Sequence, residues 1–155
     1  MPKPVEHATY VIERNFPTDP ATVFLAFADP AKKAAWFSAP EGTHSLDFRP
    51  GGHEVTTRPT PIDSPMKGAP LTNHTCYQDI QPDERIVFAY TMSVGDLRIS
   101  ASLVTVQFVP TADGTSLIFT EQAAFFPWSD GLAIRRAGWE AILETLGKFL
   151  QAHKS

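Results

Sequence analysis

The C-terminal segment, residues 130–152, constrains the fold of this chain more than any other part of the sequence. Its apolar residues recur at helical spacing and predict one amphipathic helix of roughly 34 Å at 1.5 Å per residue. The rest of the sequence predicts no second helix of comparable length, so the apolar face must be buried against a sheet. The residues of that face are Trp139, Ile142, Leu143, Leu146, Phe149 and Leu150.

The preceding chain mostly shows the two-residue period of β-strands. Short connections such as Pro82-Asp83-Glu84 separate the strands, which indicates that neighbouring strands are antiparallel. After the first strand, Asp19-Pro20 and Asp29-Pro30 each predict the start of a short helix. These elements predict an α+β fold with about six to seven strands. The strands cover about residues 8–16, 43–49, 53–57, 71–80, 85–92, 98–109 and 116–126.

Two segments rich in proline and glycine interrupt the strand pattern. Pro50-Gly51-Gly52 predicts a three-residue hairpin turn, which would place Arg49 opposite His53. Residues 59–70 contain too many prolines for a sheet interior and predict a long loop or an edge. The sequence shows no internal repeat and no change of composition, so we expect one domain over residues 1–155.

The composition excludes several classes of partner. The chain of 155 residues has a net charge of −4, and its lysines and arginines are scattered. Nucleic acids and anionic membranes bind basic faces, so the charge argues against both. No apolar run approaches the ~20 residues that span a bilayer. The lone Cys76 has no intramolecular disulfide partner and no signal segment precedes the first strand, so we expect a cytoplasmic protein.

Short motifs follow one another in a characteristic order along the chain. They are Arg14, Asp19-Pro20, Asp29-Pro30, Trp36, Asp47-Phe48-Arg49-Pro50-Gly51-Gly52, Ile80-Gln81-Pro82-Asp83-Glu84-Arg85, Gly114-Thr115 and Gly138-Trp139. Their order and spacing resemble the START-like (SRPBCC) superfamily and, within it, the family of homologues of the activator of heat-shock-protein-90 ATPase. The resemblance covers roughly residues 7–152.

This resemblance implies a helix-grip fold, in which a curved antiparallel sheet wraps the C-terminal helix and leaves a deep cavity between them. Members of the superfamily typically bind hydrophobic or amphipathic small molecules, and some are cyclases or hydrolases. For each residue expected to line the cavity, plain core packing is the alternative role. The predicted ligand-binding residues are Trp36, Phe37, Val55, Thr57, His74, Phe88, Tyr90, Leu103, Thr105, Phe119, Glu121, Gly138, Trp139, Ile142, Leu143 and Leu146.

Glu121 is the most unusual of these residues, because it shares a strand face with Leu117, Phe119 and Ala123. A carboxylate on an apolar face is costly unless it is paired, hydrated or neutralised. Two interpretations follow: the face borders a wet cavity, or Glu121 pairs with a cation such as Arg14. In the first, Glu121 is a ligand anchor or a general base. In the second, its role is structural.

Gly138 lies on the apolar side of the long helix, where glycine costs ~0.5 to 1 kcal/mol relative to alanine. One interpretation is that the missing side chain lets the helix and sheet backbones approach closely. The other is that it leaves room for a ligand beside Trp139. The first is the commoner reason for such a glycine.

The sequence predicts no metal site and no bound cofactor. Its histidines form no His-x-His or HExxH pattern. Cys76 and His74 lie on one side of a strand but about 6 to 7 Å apart, too far for the histidine to activate the thiol, so we expect a buried, inert cysteine. The histidines are His7, His44, His53, His74 and His153.

The leading hypothesis is a protein that binds a small hydrophobic or amphipathic ligand, without metal or covalent cofactor. An alternative is a cyclase or hydrolase, in which Glu121 with His74 or Tyr90 moves a proton on a bound substrate. A third is a module that stimulates a chaperone ATPase, as the family name suggests. Apolar residues on both faces of one strand, such as Leu103 beside Val104, indicate a homodimer that covers the outer face.

Overall fold

The computed structural model describes residues 4–37, 42–60 and 68–153. Its elements follow the predicted order, with two short helices after the first strand and one long helix at the end. They are β1 (Glu6–Phe16), α1 (Pro20–Ala28), α2 (Pro30–Phe37), β2 (Thr43–Leu46), β3 (His53–Pro59), β4 (Pro70–Gln81), β5 (Arg85–Val94), β6 (Leu97–Thr111), β7 (Gly114–Phe125) and α3 (Leu132–Ala152).

The strands form one antiparallel sheet in the order β1-β7-β6-β5-β4-β3-β2. Only β1 leaves the sequential order, because it pairs with β7 and the insert of α1 and α2 carries the chain to the opposite edge. The sheet curves around α3, which buries one stripe of its surface. The predicted helix-grip α+β fold is therefore confirmed. The predicted loop at residues 59–70 falls mostly outside the described residues, although Pro59 ends β3 and Pro70 begins β4.

The core lies between the inner face of the sheet, the second half of α3 and the short helices. Leu143 and Leu146 of α3 have no exposed surface. In α1, Phe27 packs edge-on against Trp36 of α2 and Phe108 of β6, with ring centroids 4.8 and 5.4 Å away. Such aromatic contacts seal the end of the sheet nearest the insert. At the opposite end, below the first half of α3, the described side chains border a cavity.

The connection between β2 and β3 differs from the predicted three-residue turn. Leu46 pairs with Glu54, so the connection runs from Asp47 to Gly52 and Arg49 does not lie opposite His53. Gly51 N–H donates to the Tyr77 carbonyl at 2.8 Å, which attaches the connection to β4, and Gly52 N–H donates to the Arg49 carbonyl at 2.8 Å within the connection. A Cβ on Gly52 would collide with the Asp47 carbonyl oxygen, which explains the glycine at that position.

Candidate functional site

A cavity of about 790 Å³ lies between α3 and the end of the sheet where β3 and β5 finish and β4 and β6 begin. Most of its lining is apolar. The sheet contributes Leu71, Met92, Val94, Leu97 and Ile99. The helix and the segment before it contribute Trp128, Ile134, Gly138, Trp139 and Ile142.

A second concavity of about 570 Å³ lies on β1, β6 and β7 and is lined mainly by short side chains such as Ala8, Ala101 and Ala124. It is open to solvent. Because ligand sites are usually concave and largely apolar, the cavity under α3 is the better candidate.

Polar side chains occupy one part of the cavity wall, and the best connected of them is Arg135. Its guanidinium is bidentate to the Asp130 carboxylate, from Nε at 3.0 Å and from Nη2 at 2.9 Å. The same Nη2 donates to Ser100 Oγ at 2.8 Å, and Nη1 lies 3.4 Å from Glu121 Oε2. Nη1 also donates to the Tyr90 hydroxyl at 3.1 Å, so Arg135 is held in one position by two carboxylates and two hydroxyls.

Two tyrosines complete the buried polar cluster around Glu121. Tyr10 donates its hydroxyl proton to Oε1, and Tyr90 donates to Oε2 at 2.6 Å. Trp139 Nε1 in turn donates to the Tyr90 oxygen at 3.1 Å. Burial, reinforced by the adjacent Glu121 carboxylate, raises the pKa of both tyrosines, so they remain proton donors.

Glu121 is thus the buried partner of a cation and two hydroxyls, with no exposed surface. The predicted pairing of Glu121 with Arg14 is wrong. Arg14 Nη2 lies 3.7 Å from Glu140 Oε2 at the surface, and the cation beside Glu121 is Arg135. Glu121 does not itself line the cavity, because Tyr90 and Arg135 cover its second oxygen. Both oxygens accept hydrogen bonds and the side chain has no exposed surface, so the carboxylate orients its neighbours and does not contact the cavity.

A second buried polar cluster, around Glu54, fixes α2 to the sheet. The Lys33 ammonium lies 3.0 Å from Glu54 Oε1, Tyr77 donates to the same oxygen at 2.7 Å, and His44 Nε2 lies 2.7 Å from Oε2. Burial alone would raise the pKa of Glu54, but Lys33 and the three hydrogen bonds outweigh it and lower the pKa to about 2. The Lys33 ammonium also sits over the Phe37 ring, 4.4 Å from its centroid.

The predicted site residues fall into three groups, of which the first lies at the cavity. Gly138, Trp139 and Ile142 line it. Tyr90 and Glu121 belong to the polar cluster behind the wall. A second group is packed in or against the core, which was the alternative role for each residue. That group comprises Trp36, Phe37, Phe88, Phe119, Leu143 and Leu146.

The third group lies on the outer face of the sheet, so the prediction that these residues face the helix is wrong. On β3, Glu54 and Thr56 are buried against the interior, which turns their neighbours outward. On β6, Val104 and Val106 take the inner positions and Leu103 is 39% exposed. The outward residues of the prediction are Val55, Thr57, His74, Leu103 and Thr105.

His74 and Cys76 share this outer face. His74 Nε2 lies 3.1 Å from His53 Nδ1 on the adjacent strand, so its partner is another histidine and not the thiol. Cys76 is half-buried instead of fully buried as predicted. Across residues 4–37, 42–60 and 68–153, no three His, Cys, Asp or Glu side chains are grouped so that they could hold a metal ion.

Gly138 borders open space. A Cβ built on it meets no heavy atom within 4 Å, so close approach of helix and sheet does not account for this glycine. It lies one turn from both Ile134 and Ile142, which line the same cavity. The missing side chain therefore enlarges the cavity.

Sequence reasoning missed the polar residues of the wall, among them Arg58, Asn73 and Arg135. Arg135 carried a signal, because it precedes the buried Trp139 and Leu143 at successive intervals of four residues on the helix. Arg58 and Asn73 occupy inner-face positions of β3 and β4, which become recognisable only once the sheet register is known.

Comparison with known proteins identifies the family. A family model described as "Activator of Hsp90 ATPase homolog 1-like protein" matches residues 17–151. A solved protein from Rhizobium leguminosarum is 38% identical, with a TM-score of 0.89 over 97% of this chain and 98% of that one. The Mll3558 protein from Rhizobium loti is 41% identical, with a TM-score of 0.87 over 96% of this chain and 100% of that one.

More distant structures share the fold. An AHSA1-like protein from Aeromonas hydrophila is 20% identical, with a TM-score of 0.68 over 94% of this chain and 93% of that one. The search of curated proteins found no match. Within the described residues, no helix combines the length and apolarity needed to cross a membrane. With a matching model over most of its length and two relatives near 40% identity, the chain belongs to the family of activator of Hsp90 ATPase homolog 1-like proteins.

Proposed function

We propose that this protein binds a small hydrophobic or amphipathic molecule in the cavity under the first half of α3. The observation that carries the proposal is the cavity itself, about 790 Å³ with a mainly apolar lining. That volume falls within the roughly 300 to 1,000 Å³ of typical small-molecule sites. An apolar molecule entering it would exchange contact with water for contact with aliphatic and aromatic side chains.

Exposed apolar side chains at the cavity support the same proposal. Trp128 is 74% exposed and Ile134 is 65% exposed, although both line the cavity. A contiguous apolar surface left in water beside a concavity is typical of a ligand-binding groove. A bound ligand would cover both side chains and recover the associated hydrophobic free energy.

The geometry favours binding over proton transfer. Glu121, the residue predicted for general acid–base chemistry, accepts hydrogen bonds at both oxygens and lies behind Arg135. Membership of the family is consistent with ligand binding and with a co-chaperone role, and the cavity supports the first of these. The homodimer and the cytoplasmic location stay predictions from the sequence.

Titration with the neutral fluorophore N-phenyl-1-naphthylamine tests the proposal. Its fluorescence should rise and shift to the blue when it enters the cavity of the wild-type protein. Gly138→Leu places a side chain in the open space beside Trp139 and should weaken binding about tenfold, because filling the cavity removes room for the probe.

Ala137→Leu is the matched control, since Ala137 is exposed and does not line the cavity. It should bind the fluorophore like the wild type. No binding by the wild type, or equal binding by the Gly138→Leu variant, contradicts the proposal.

A further inference from the structure

Among the described residues, the cavity wall contains one cation without a carboxylate partner and one buried oxygen without a hydrogen-bond donor. Arg58 lines the cavity, and no carboxylate within the three described ranges forms an ion pair with it. Burial lowers the pKa of Arg58, and no anionic group of the described residues opposes that effect. Asn73, 9% exposed, also lines the cavity, and its buried Oδ1 accepts no hydrogen bond. Buried polar groups are normally satisfied, so the Asn73 oxygen indicates a missing partner. Arg58 is half-buried, and it is a cation with no carboxylate beside it in the described part of the cavity.

The sheet register places these two groups side by side. Asn73 on β4 is opposite Thr56, and Arg58 on β3 is opposite Leu71, so the two residues are diagonal neighbours on the inner face. Diagonal neighbours in an antiparallel sheet are about 7 to 8 Å apart at their Cα atoms, within reach of an arginine side chain. We refer to Arg58 and Asn73 as the polar wall.

The other arginine of the cavity serves a different purpose. Arg135 donates to both oxygens of Asp130 and also pairs with Glu121, so its charge is already matched. Within the described part of the cavity, Arg58 is the cation left without a carboxylate. A ligand that carries an anion would find its counter-charge there and not at Arg135.

We propose that the polar wall recognises the head group of an anionic amphipathic ligand, in which a carboxylate stands next to a hydrogen-bond donor. This inference rests on the proposed function and names its ligand class. The Arg58 guanidinium presents a planar fork of N–H donors that matches a carboxylate. Asn73 Oδ1 is an acceptor and needs a hydroxyl or amide N–H, as in a 2-hydroxy acid or an N-acylated amino acid.

The apolar part of the ligand then has its own surroundings. Met92, Val94 and Ile99 continue the inner face from the polar wall along β5 and β6. Ile134 and Ile142 face them from α3. A single alkyl chain attached to the head group would lie between these side chains. This division separates the charge from the apolar contacts without burying an unpaired ion.

Competition for the N-phenyl-1-naphthylamine complex tests the inference with three probes of equal chain length. We expect the wild type to bind 2-hydroxydodecanoate more tightly than dodecanoate, and dodecanoate more tightly than dodecan-1-ol. Arg58→Met should reduce the preference for the acid over the alcohol about tenfold, because a charge-assisted hydrogen bond is lost. Asn73→Leu should reduce the preference for the hydroxy acid over the plain acid about fivefold.

Arg98→Met is the matched control, because Arg98 is exposed on β6 and does not line the cavity; it should leave all preferences unchanged. If Arg58→Met does not fold, Arg58→Gln removes the same charge with a polar side chain. Preferences that survive the loss of Arg58 overturn the inference while fluorophore binding still upholds the proposed function. Failure of the wild type to bind the fluorophore overturns both.

Discussion

Arg135 and Glu121 form a buried ion pair that connects α3 to β7, with Nη1 and Oε2 3.4 Å apart and side chains 2% and 0% exposed. The pair lies where α3 passes over the cavity. Arg135 faces the cavity, and Glu121 lies behind it with two tyrosine hydroxyls. The helix is therefore held at a fixed distance from the sheet by polar contacts at this end, whereas apolar packing holds its other end.

Removal of the arginine should be strongly destabilising. Arg135→Met would leave the Glu121 carboxylate buried without a cation, which typically costs about 3 to 5 kcal/mol. Urea unfolding followed by circular dichroism measures the loss. Arg98→Met, at an exposed position, should change the free energy of unfolding by no more than about 0.5 kcal/mol. Similar small losses in both variants would show that the pair contributes little.

The Glu54 cluster should make stability depend on pH in the acid range. The pKa of Glu54 is lowered from 4.5 to about 2 in the folded protein, so the unfolded chain binds a proton first as the pH falls. The stabilisation is complete above pH 4.5 and decreases as the pH falls toward 2. It amounts to roughly 3 kcal/mol in full, of which about 2 kcal/mol is lost by pH 3.

Urea unfolding of the wild type and Glu54→Gln at pH 6 and pH 3 isolates this contribution from the other carboxylates. Between pH 6 and pH 3, the free energy of unfolding of the wild type should fall by about 2 kcal/mol more than that of Glu54→Gln. Asp96→Asn is the control, because Asp96 is exposed in a turn, and its pH dependence should match the wild type. If the free energy of unfolding changes with pH equally in Glu54→Gln and in the wild type, the Glu54 cluster is not the source of the pH dependence.

Local periodicity was enough to predict the elements, because it depends only on neighbours in sequence. The four-residue spacing of Trp139 and Leu143 predicted α3, and alternation predicted the strands of the sheet. Which of the two faces of each strand points toward the interior was harder to predict. On β6, Leu103 and Val104 are both apolar, so hydrophobicity alone does not decide which one faces inward.

On β3, the usual pattern of apolar residues inside and polar residues outside is reversed, for a physical reason. Glu54 and Arg58 face the interior, and the apolar Val55 faces outward. The Glu54 carboxylate pairs with Lys33, which lies 21 positions earlier in sequence, whereas Arg58 lines the cavity. Partners so distant in sequence have no signature in the local pattern, so the inward polar residues could not be recognised before the fold was known.

Matched leucine truncations should distinguish the two faces of the sheet. Leu117→Ala removes a side chain with no exposed surface on β7 and should cost about 2 to 5 kcal/mol. Leu103→Ala acts on a side chain that is 39% exposed on the outer face, and should cost less than about 1 kcal/mol while leaving fluorophore affinity unchanged. Thermal unfolding and the fluorophore titration measure both effects. A large loss of fluorophore affinity in the Leu103→Ala variant would indicate that this side chain does contribute to the binding site.

The open space beside Gly138 predicts a substitution that stabilises the protein. Alanine replaces the least favourable residue of the helix interior except proline, and its Cβ meets nothing within 4 Å, so Gly138→Ala should raise the free energy of unfolding by about 0.5 to 1 kcal/mol. Gly147→Ala is the control on the same helix, where the new Cβ would lie 3.2 Å from the Phe16 ring and the gain should be smaller or reversed. Chemical denaturation compares the two variants. A destabilised Gly138→Ala variant would mean that the space beside this glycine is filled, and the cavity proposed as the binding site would then be smaller than described.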